Sequence, residues 1–364
     1  MKIAFYASSL LSSYWNGAAT YYRGLLRALE KLGYDITFYE PDVYDRAKNR
    51  DMEPPAWCKV VVYEGTVEAL RRVAAEAAKA DIVVKASGVG FEDDLLLAEV
   101  LKAARPGALK VFWDVDAPAT LSELRAHPDH PLRAALAEID VVMTYGGGDP
   151  VVYAYRAMGA HECVPIYNAL DPETHHPVAS DGKFAADLAF LGNRLPDREA
   201  RVESFFLAPA ANLPGQTFLL GGSGWADKPM PTNVHYLGHV GTRDHNAFNV
   251  TPKAVLNISR DSMADMGFSP ATRVFEAAGA GACLITDAWL GLELFLKPDE
   301  EVLAARDGQD VAEHLKALSP ERAKEIGQRA LARVLAEHTY DQRAVQADAV
   351  FRTFPRHAQA EAAE

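Results

Sequence analysis

Short, nearly continuous apolar runs recur along this chain. Each is followed by a polar or glycine-rich loop and then by a stretch of helical spacing. Lys2–Ala7 is the first run. Ala18–Leu32 then places Tyr21, Leu25, Leu26 and Leu29 on one helical face, and Gly33 stops that helix. Asp35–Tyr39, Val60–Val62, Ile82–Lys85, Lys110–Trp113 and Val141–Thr144 are further strand-like runs. Residues 164–182 break the rhythm, because Pro165, Pro172, Pro177 and Gly182 punctuate a polar segment that reads as a linker. A second series follows, with strands at Leu188–Leu191, Phe218–Leu220, Ala254–Ile258 and Cys283–Thr286 and a helix at Pro320–Glu337. Runs that are apolar on both faces suit strands covered on both sides. Strand–helix alternation therefore predicts an α/β fold with two doubly wound parallel sheets. The expected division is a first domain over 1–168, a linker over 169–182 and a second domain over 183–339, the two domains enclosing a cleft.

Composition narrows the class. A net charge of −13 over 364 residues argues against broad contact with nucleic acid or an anionic membrane surface, though not against one small basic pocket. No apolar run approaches a membrane span, and the Lys2 opening is interrupted by Ser8 and Ser9 before any signal-peptide pattern completes. The three cysteines, Cys58, Cys163 and Cys283, have neither metal spacing nor a paired framework, which suits a reducing cytoplasm. His235, His239 and His245 lack a zinc-binding spacing. His175 and His176 sit side by side in the polar linker and read as solvated.

The candidate chemistry lies where strands end, because parallel sheets present their sites at the carboxyl ends of strands. In the second half, Gly192-Asn193-Arg194 and the loop containing Gly222 follow strands. They suit either phosphate held by backbone N–H groups and Arg194, or ordinary strand–helix turns. Neither matches a P-loop or a full dinucleotide fingerprint. The stretch Pro270–Asp287 carries Arg273 and Glu276 one helical turn apart before a small-residue joint and a buried strand. A carboxylate there can accept the hydroxyls of a ribose and Arg273 can hold phosphate, or the two can form a plain surface ion pair. In the first half, the Ser8–Ala19 loop with Tyr14, Asn16 and Gly17, the Ser87–Gly90 loop with Gly88, and the Asp114–Pro118 loop are expected to face an acceptor. Asp116 is the candidate general base, with Asp114 beside it, and either aspartate also suits a helix cap.

These pieces resemble the GT-B glycosyltransferases, most closely the group named for the spore-maturation protein CgeB. The resemblance rests on Phe38-Tyr39-Glu40-Pro41-Asp42, Phe112-Trp113-Asp114-Val115-Asp116-Ala117-Pro118 and Tyr167-Asn168-Ala169-Leu170-Asp171. It rests above all on Arg273-Val274-Phe275-Glu276 with Ala280-Gly281 and Thr286-Asp287. It implies two Rossmann-like domains facing across a cleft, with a C-terminal helix, about residues 340–356, returning to the first. It also implies a hexosyltransferase-like enzyme that uses a nucleotide-diphosphate sugar as co-substrate, with no tightly bound cofactor and no metal. Glu276 would take the ribose, the Gly-Asn-Arg loop the diphosphate, and Gly267, Phe268 and Ser269 would lie beside the sugar. One departure stands out: retaining relatives carry a second glutamate eight residues before the ribose glutamate, and here that position is Phe268. The rival expectations are a non-catalytic nucleotide- or sugar-binding relative acting as a partner subunit, and a sugar-nucleotide epimerase of the same fold.

Overall fold

The computed structural model describes residues 1–14 and 16–361. The chain divides into two compact units. The first comprises Met1–Tyr167 together with the C-terminal helix that begins at Tyr340, and the second is Asn168–Thr339.

The first unit is built on β1 (Lys2–Tyr6), β2 (Asp35–Asp42), β3 (Lys59–Glu64), β4 (Ile82–Ala86), β5 (Leu109–Asp114), β6 (Val141–Thr144) and β7 (Cys163–Pro165). All neighbours pair in parallel, in the order β3-β2-β1-β4-β5-β6-β7. The strands that read as apolar throughout are buried throughout, β4 and β6 at every position. Aromatic side chains knit the core. Phe5 stacks on Phe38 at 5.5 Å, and the Trp113 indole donates to the Tyr21 hydroxyl, which donates in turn to the Ile166 carbonyl. The C-terminal helix Tyr340–Glu361 packs on this unit through Phe351 and the Tyr340 ring. That ring lies against Gly24 so closely that an added Cβ would sit 2.1 Å from it, so only glycine fits the helix Ala19–Lys31 there.

The second unit is built on β8 (Leu188–Leu191), β9 (Phe218–Gly221), β10 (Val234–Gly238), β11 (Ala254–Asn257), β12 (Leu284–Asp287) and β13 (Leu303–Ala305). These pair in parallel in the order β10-β9-β8-β11-β12-β13. Its core gathers Phe190, Phe206, Phe218, Leu256 and Ile285. The segment after Tyr167 is not a solvated tether. Leu170 donates its N–H to His338 O at 2.8 Å and lays its side chain on Gly279 of the helix Thr272–Ala280.

Strand order reverses between β1 and β4 in the first sheet and between β8 and β11 in the second. At such points the loops leaving neighbouring strands diverge to opposite faces and open a crevice at the carboxyl edge. Both candidate sites lie there. Among the described residues, no helix is long and apolar enough to cross a membrane.

Candidate functional site

In the second unit the carboxyl edge is formed by the loops after β8, β9 and β11 and by the N-terminal turn of the helix Thr272–Ala280. That helix has no side-chain cap and no acidic residue in its first turn, so its positive end is left uncompensated. Glu276, one turn in, is 12% exposed. Its carboxylate lies 3.8 Å from the Arg273 guanidinium and 4.0 Å from His175 Nε2. Burial pushes the Glu276 carboxyl up, but the opposing fields of His175, Arg273 and His245 hold it below the usual range. Asn249 is 1% exposed, and its Oδ1 accepts from Arg273 Nη1 at 3.3 Å, which fixes the guanidinium from behind.

His175 overturns the sequence reading, whereas His176 beside it is exposed as expected. His175 is 11% exposed, not solvated, and its ring centre is 6.4 Å from that of His245. A turn brings it there: the N–H groups of Thr174 and His175 both bond the Asp171 carbonyl, and Asn246 donates to the Thr174 carbonyl. Burial, with the nearby Arg273 charge, pushes His245 down to about 4, so it is neutral at ordinary pH.

The Gly-Asn-Arg loop is placed otherwise than its sequence suggested. The Arg194 guanidinium donates to both Glu199 oxygens, at 2.7 and 2.8 Å, and to Asp227 at 3.0 Å. These partners raise its pKa, and Arg194 together with Lys228 holds Glu199 down to about 2. Asn193 Oδ1 accepts the Ser223 N–H and Arg194 N–H bonds the Ser223 carbonyl, so the two residues clasp the β8 and β9 loops together. Gly222, at φ +118°, spends its N–H on the Gly238 carbonyl. A Cβ there would sit 2.2 Å from Gly192 O, so its service is close packing of the two loops, not anion contact.

Sequence reading passed over Arg198. It stands on the first turn of the helix Pro196–Val202, four residues beyond Arg194, and that repeat of basic residues was its only signal. One guanidinium nitrogen, Nη2, donates to the Asn193 carbonyl at 2.7 Å, whereas the buried Nε has no partner. Burial lowers its pKa, and the charges of Arg273 and Arg260 lower it further. Arg198, Arg260 and Arg273 thus lie close enough at this edge for the charges of the other two to act on Arg198, which keeps a desolvated donor unspent.

Gly267 and Phe268 follow one another with φ of +70° and +49°, a strained pair in which Phe268 donates its N–H to Leu290 O at 2.6 Å. Ser269, 4% exposed, closes the turn by donating to Gly267 O. The N–H groups of Gly267 and Phe268 are both consumed within the protein.

The first unit's edge is of another kind. Asp114 is 0% exposed, and its carboxylate accepts four hydrogen bonds: from Ser87 Oγ at 2.7 Å, Thr120 Oγ1 at 2.9 Å, Asp116 N at 3.0 Å and the Tyr155 hydroxyl at 2.5 Å. Burial raises its pKa against the pull of those bonds. It touches no open space, which removes it from the candidate catalytic residues. Asp116 is half-buried and precedes the helix Ala117–Ala126 at the cap position without a side-chain cap bond. Asn16 is buried and staples its own loop, donating to Ser9 O and Ser12 O and accepting from Ser8 Oγ. Tyr14 and Gly17 are exposed, and Trp15 between them lies outside the described residues. Gly88 lines a cavity of about 290 Å³ with Lys85, Ser87, Asp93, Thr120 and His130. Lys85, 3% exposed, is neutralised there by Asp93 at 2.5 Å.

Comparison with known proteins agrees with this architecture. Residues 198–349 match a family model described as glycosyl transferase-like, a span that holds Arg198, Arg260, Arg273 and Glu276. No curated protein sequence matches this chain. Sucrose-phosphate synthase from Thermosynechococcus elongatus superposes with a TM-score of 0.70 at 15% identity, over 100% of both chains. HepE from Anabaena, in complex with UDP-glucose, gives 0.66 at 14% identity over 97% of this chain and 100% of that one. The β-glucosyltransferase of phage T4 with its UDP-glucose substrate gives 0.61 at 13% over 97% and 99%. With two parallel-sheet, Rossmann-like units and these neighbours, the chain has the fold of the GT-B glycosyltransferases, and its second half carries the sequence pattern of a glycosyl transferase-like family.

Proposed function

We propose that this protein is a CgeB-like glycosyltransferase that moves a hexose from a nucleoside-diphosphate sugar to a hydroxyl acceptor without a metal ion, in the cytoplasm. The observation that carries this reading is the carboxyl edge of the second sheet. A largely buried Glu276, its carboxyl held below the usual range, stands beside Arg273 in the uncapped helix Thr272–Ala280, and Arg198 on the helix Pro196–Val202 holds an unpartnered, desolvated N–H. Glu276 accepts the two ribose hydroxyls. Arg198 and Arg273, with the first turn of the helix Thr272–Ala280, take the diphosphate. Arg194 serves this edge indirectly, by locking the loop that presents Arg198. The UDP-glucose bound by HepE and by the phage enzyme supports a nucleotide sugar as donor.

The acceptor occupies the first unit's carboxyl edge, at the cavity beside Gly88. Its hydroxyl oxygen attacks the sugar's anomeric carbon and its proton passes to Asp116. The bond from that carbon to the diphosphate oxygen breaks, and the electron pair leaves with the diphosphate. Arginines positioned before the reaction stabilise that developing charge, which is the part a metal plays in other transferases. Phe268 offers the sugar no carboxylate, in keeping with inversion by a base on the acceptor side.

A thermal-shift panel of UDP-, GDP-, dTDP- and ADP-sugars, followed by detection of free nucleoside diphosphate, tests the reading. One sugar nucleotide that raises Tm and is turned over supports it. Saturable binding without diphosphate release overturns it in favour of a binding subunit, and epimerised donor in favour of an epimerase.

A further inference from the structure

Asp114 presents an unusual arrangement: a fully buried carboxylate at the carboxyl end of a central strand that touches no open space yet accepts four hydrogen bonds. Its partners come from three successive strand ends. Ser87 leaves β4, Asp116 and Thr120 leave β5, and Tyr155 stands on the helix Gly148–Ala157 that follows β6. Ser87 Oγ also accepts the Val115 N–H at 2.8 Å, and Ser87 N–H bonds Trp113 O at 2.8 Å, so the β4 and β5 loops are tied twice. Asp116 sits at φ −149° and ψ 59°, outside the regular helix and strand regions, and its N–H is held by Asp114 Oδ1. A buried ionisable group costs free energy unless its bonds return something. A plain helix cap would sit at the surface and would not recruit a tyrosine from the next strand's helix.

We propose that Asp114 is a positioning residue for the transfer reaction: through Ser87, Thr120 and Tyr155 it fixes the backbone at Asp116, and with it the base, relative to the acceptor loop at Gly88. This rests on the reading of Asp116 as base. Asp114 itself meets neither substrate nor reacting atom. What matters is its shape and hydrogen bonding, not its charge. Asparagine in its place keeps the three bonds on Oδ1 and lets its amide donate to the Tyr155 oxygen, because a phenol both donates and accepts. Alanine loses all four bonds.

The test is steady-state release of UDP from UDP-glucose, with water and with glucose as acceptor, in the full-length wild type and in Asp114→Asn, Asp114→Ala and Tyr155→Phe. Donors from the sugar-nucleotide panel replace UDP-glucose if it is not turned over. Tyr155→Phe, which leaves Asp114 in place and guards against an Asp114→Ala protein that does not fold, is expected to lower kcat about 10- to 100-fold with the donor KM unchanged, at temperatures well below its Tm. Asp114→Asn is expected to recover most of the kcat lost in Asp114→Ala. A Tyr155→Phe enzyme that only melts earlier, with wild-type kcat, overturns the proposal and leaves a structural bond. Equal loss in Asp114→Asn and Asp114→Ala overturns it as well, because charge would then be what counts. A wild type that turns over no sugar nucleotide sinks the transferase reading and this inference together, whereas a turning-over wild type with unaffected variants sinks this inference alone.

Discussion

The carboxyl edges of the two sheets share one architecture and differ in how their charges are spent. At the second unit's edge arginines cluster, and the part-buried Arg198 keeps a buried Nε with no partner. In the first unit the buried carboxylates are answered, since Asp114 accepts four bonds and Glu40 accepts the Leu10 and Leu11 N–H groups at 2.5 and 3.3 Å. The buried cations Lys85 and Arg46 stand among them, and Arg46 likewise keeps an Nε with no partner. Unspent buried donors are costly in an empty protein and become favourable only when an anion arrives. Fully satisfied carboxylates instead hold loops in place. On the proposed reading one edge binds and the other aims, a division that the shared fold alone does not impose.

The largest effect expected to sharpen this contrast is on the aiming side. Asp116→Asn is expected to lower kcat about 10²- to 10⁴-fold with donor affinity nearly unchanged. Turnover close to wild type would leave Asp116 a structural residue and collapse the distinction. On the binding side, Glu276→Ala and Arg198→Gln are each expected to weaken nucleoside-diphosphate affinity by about 10- to 100-fold in calorimetry, since each removes bonds to a charged group worth about 1.5–3 kcal/mol. The Arg198 loss is expected to shrink with added salt less than that of a surface lysine, because the guanidinium is desolvated. Unchanged affinity in the folded variants would move the diphosphate elsewhere.

His245 supplies a prediction in pH. Its folded pKa of about 4 lies below the ordinary 6.5, so the fold favours the neutral ring. The stability this represents is complete above pH 6.5 and is lost as pH falls from 6.5 toward 4, because the unfolded chain takes up the proton first. The full effect is about 3 kcal/mol. His245→Gln is expected to flatten the Tm profile across that window, and an unchanged slope would show that the ring titrates normally. The smallest expected effect is none: EDTA should leave diphosphate release at its original rate. Loss on chelation with recovery on Mg²⁺ or Mn²⁺ would mean that the arginines do not carry the leaving-group charge alone.

The strands legible in the sequence are the inner ones together with β3, an edge strand of the first sheet. β4, β6, β8 and β11 are covered on both faces and read as unbroken apolar runs. β7, β10 and β13, which close sheet edges, went unread, because an edge strand is short and partly exposed; β10 alternates buried and open positions over five residues. At the site, Glu276 and Arg273 stood out because helical spacing puts them on one face. Arg194 stood out for its place after a strand, yet carboxylates five and thirty-three residues away claimed it. The histidines carried no local pattern at all.

Alternating apolar runs and helical stretches determined, from the sequence alone, that this chain forms two parallel α/β sheets. Burial on both faces of a strand and a helix's period are local properties, written in consecutive residues. Which charges remain free was decided only in three dimensions. The turn at Asp171 swings His175 onto Glu276, Glu199 takes Arg194 away, Arg198 Nε is left without a partner, and three strand ends close over Asp114. Pairing of charges depends on distances between residues far apart in the chain, and no periodicity along the sequence encodes those distances.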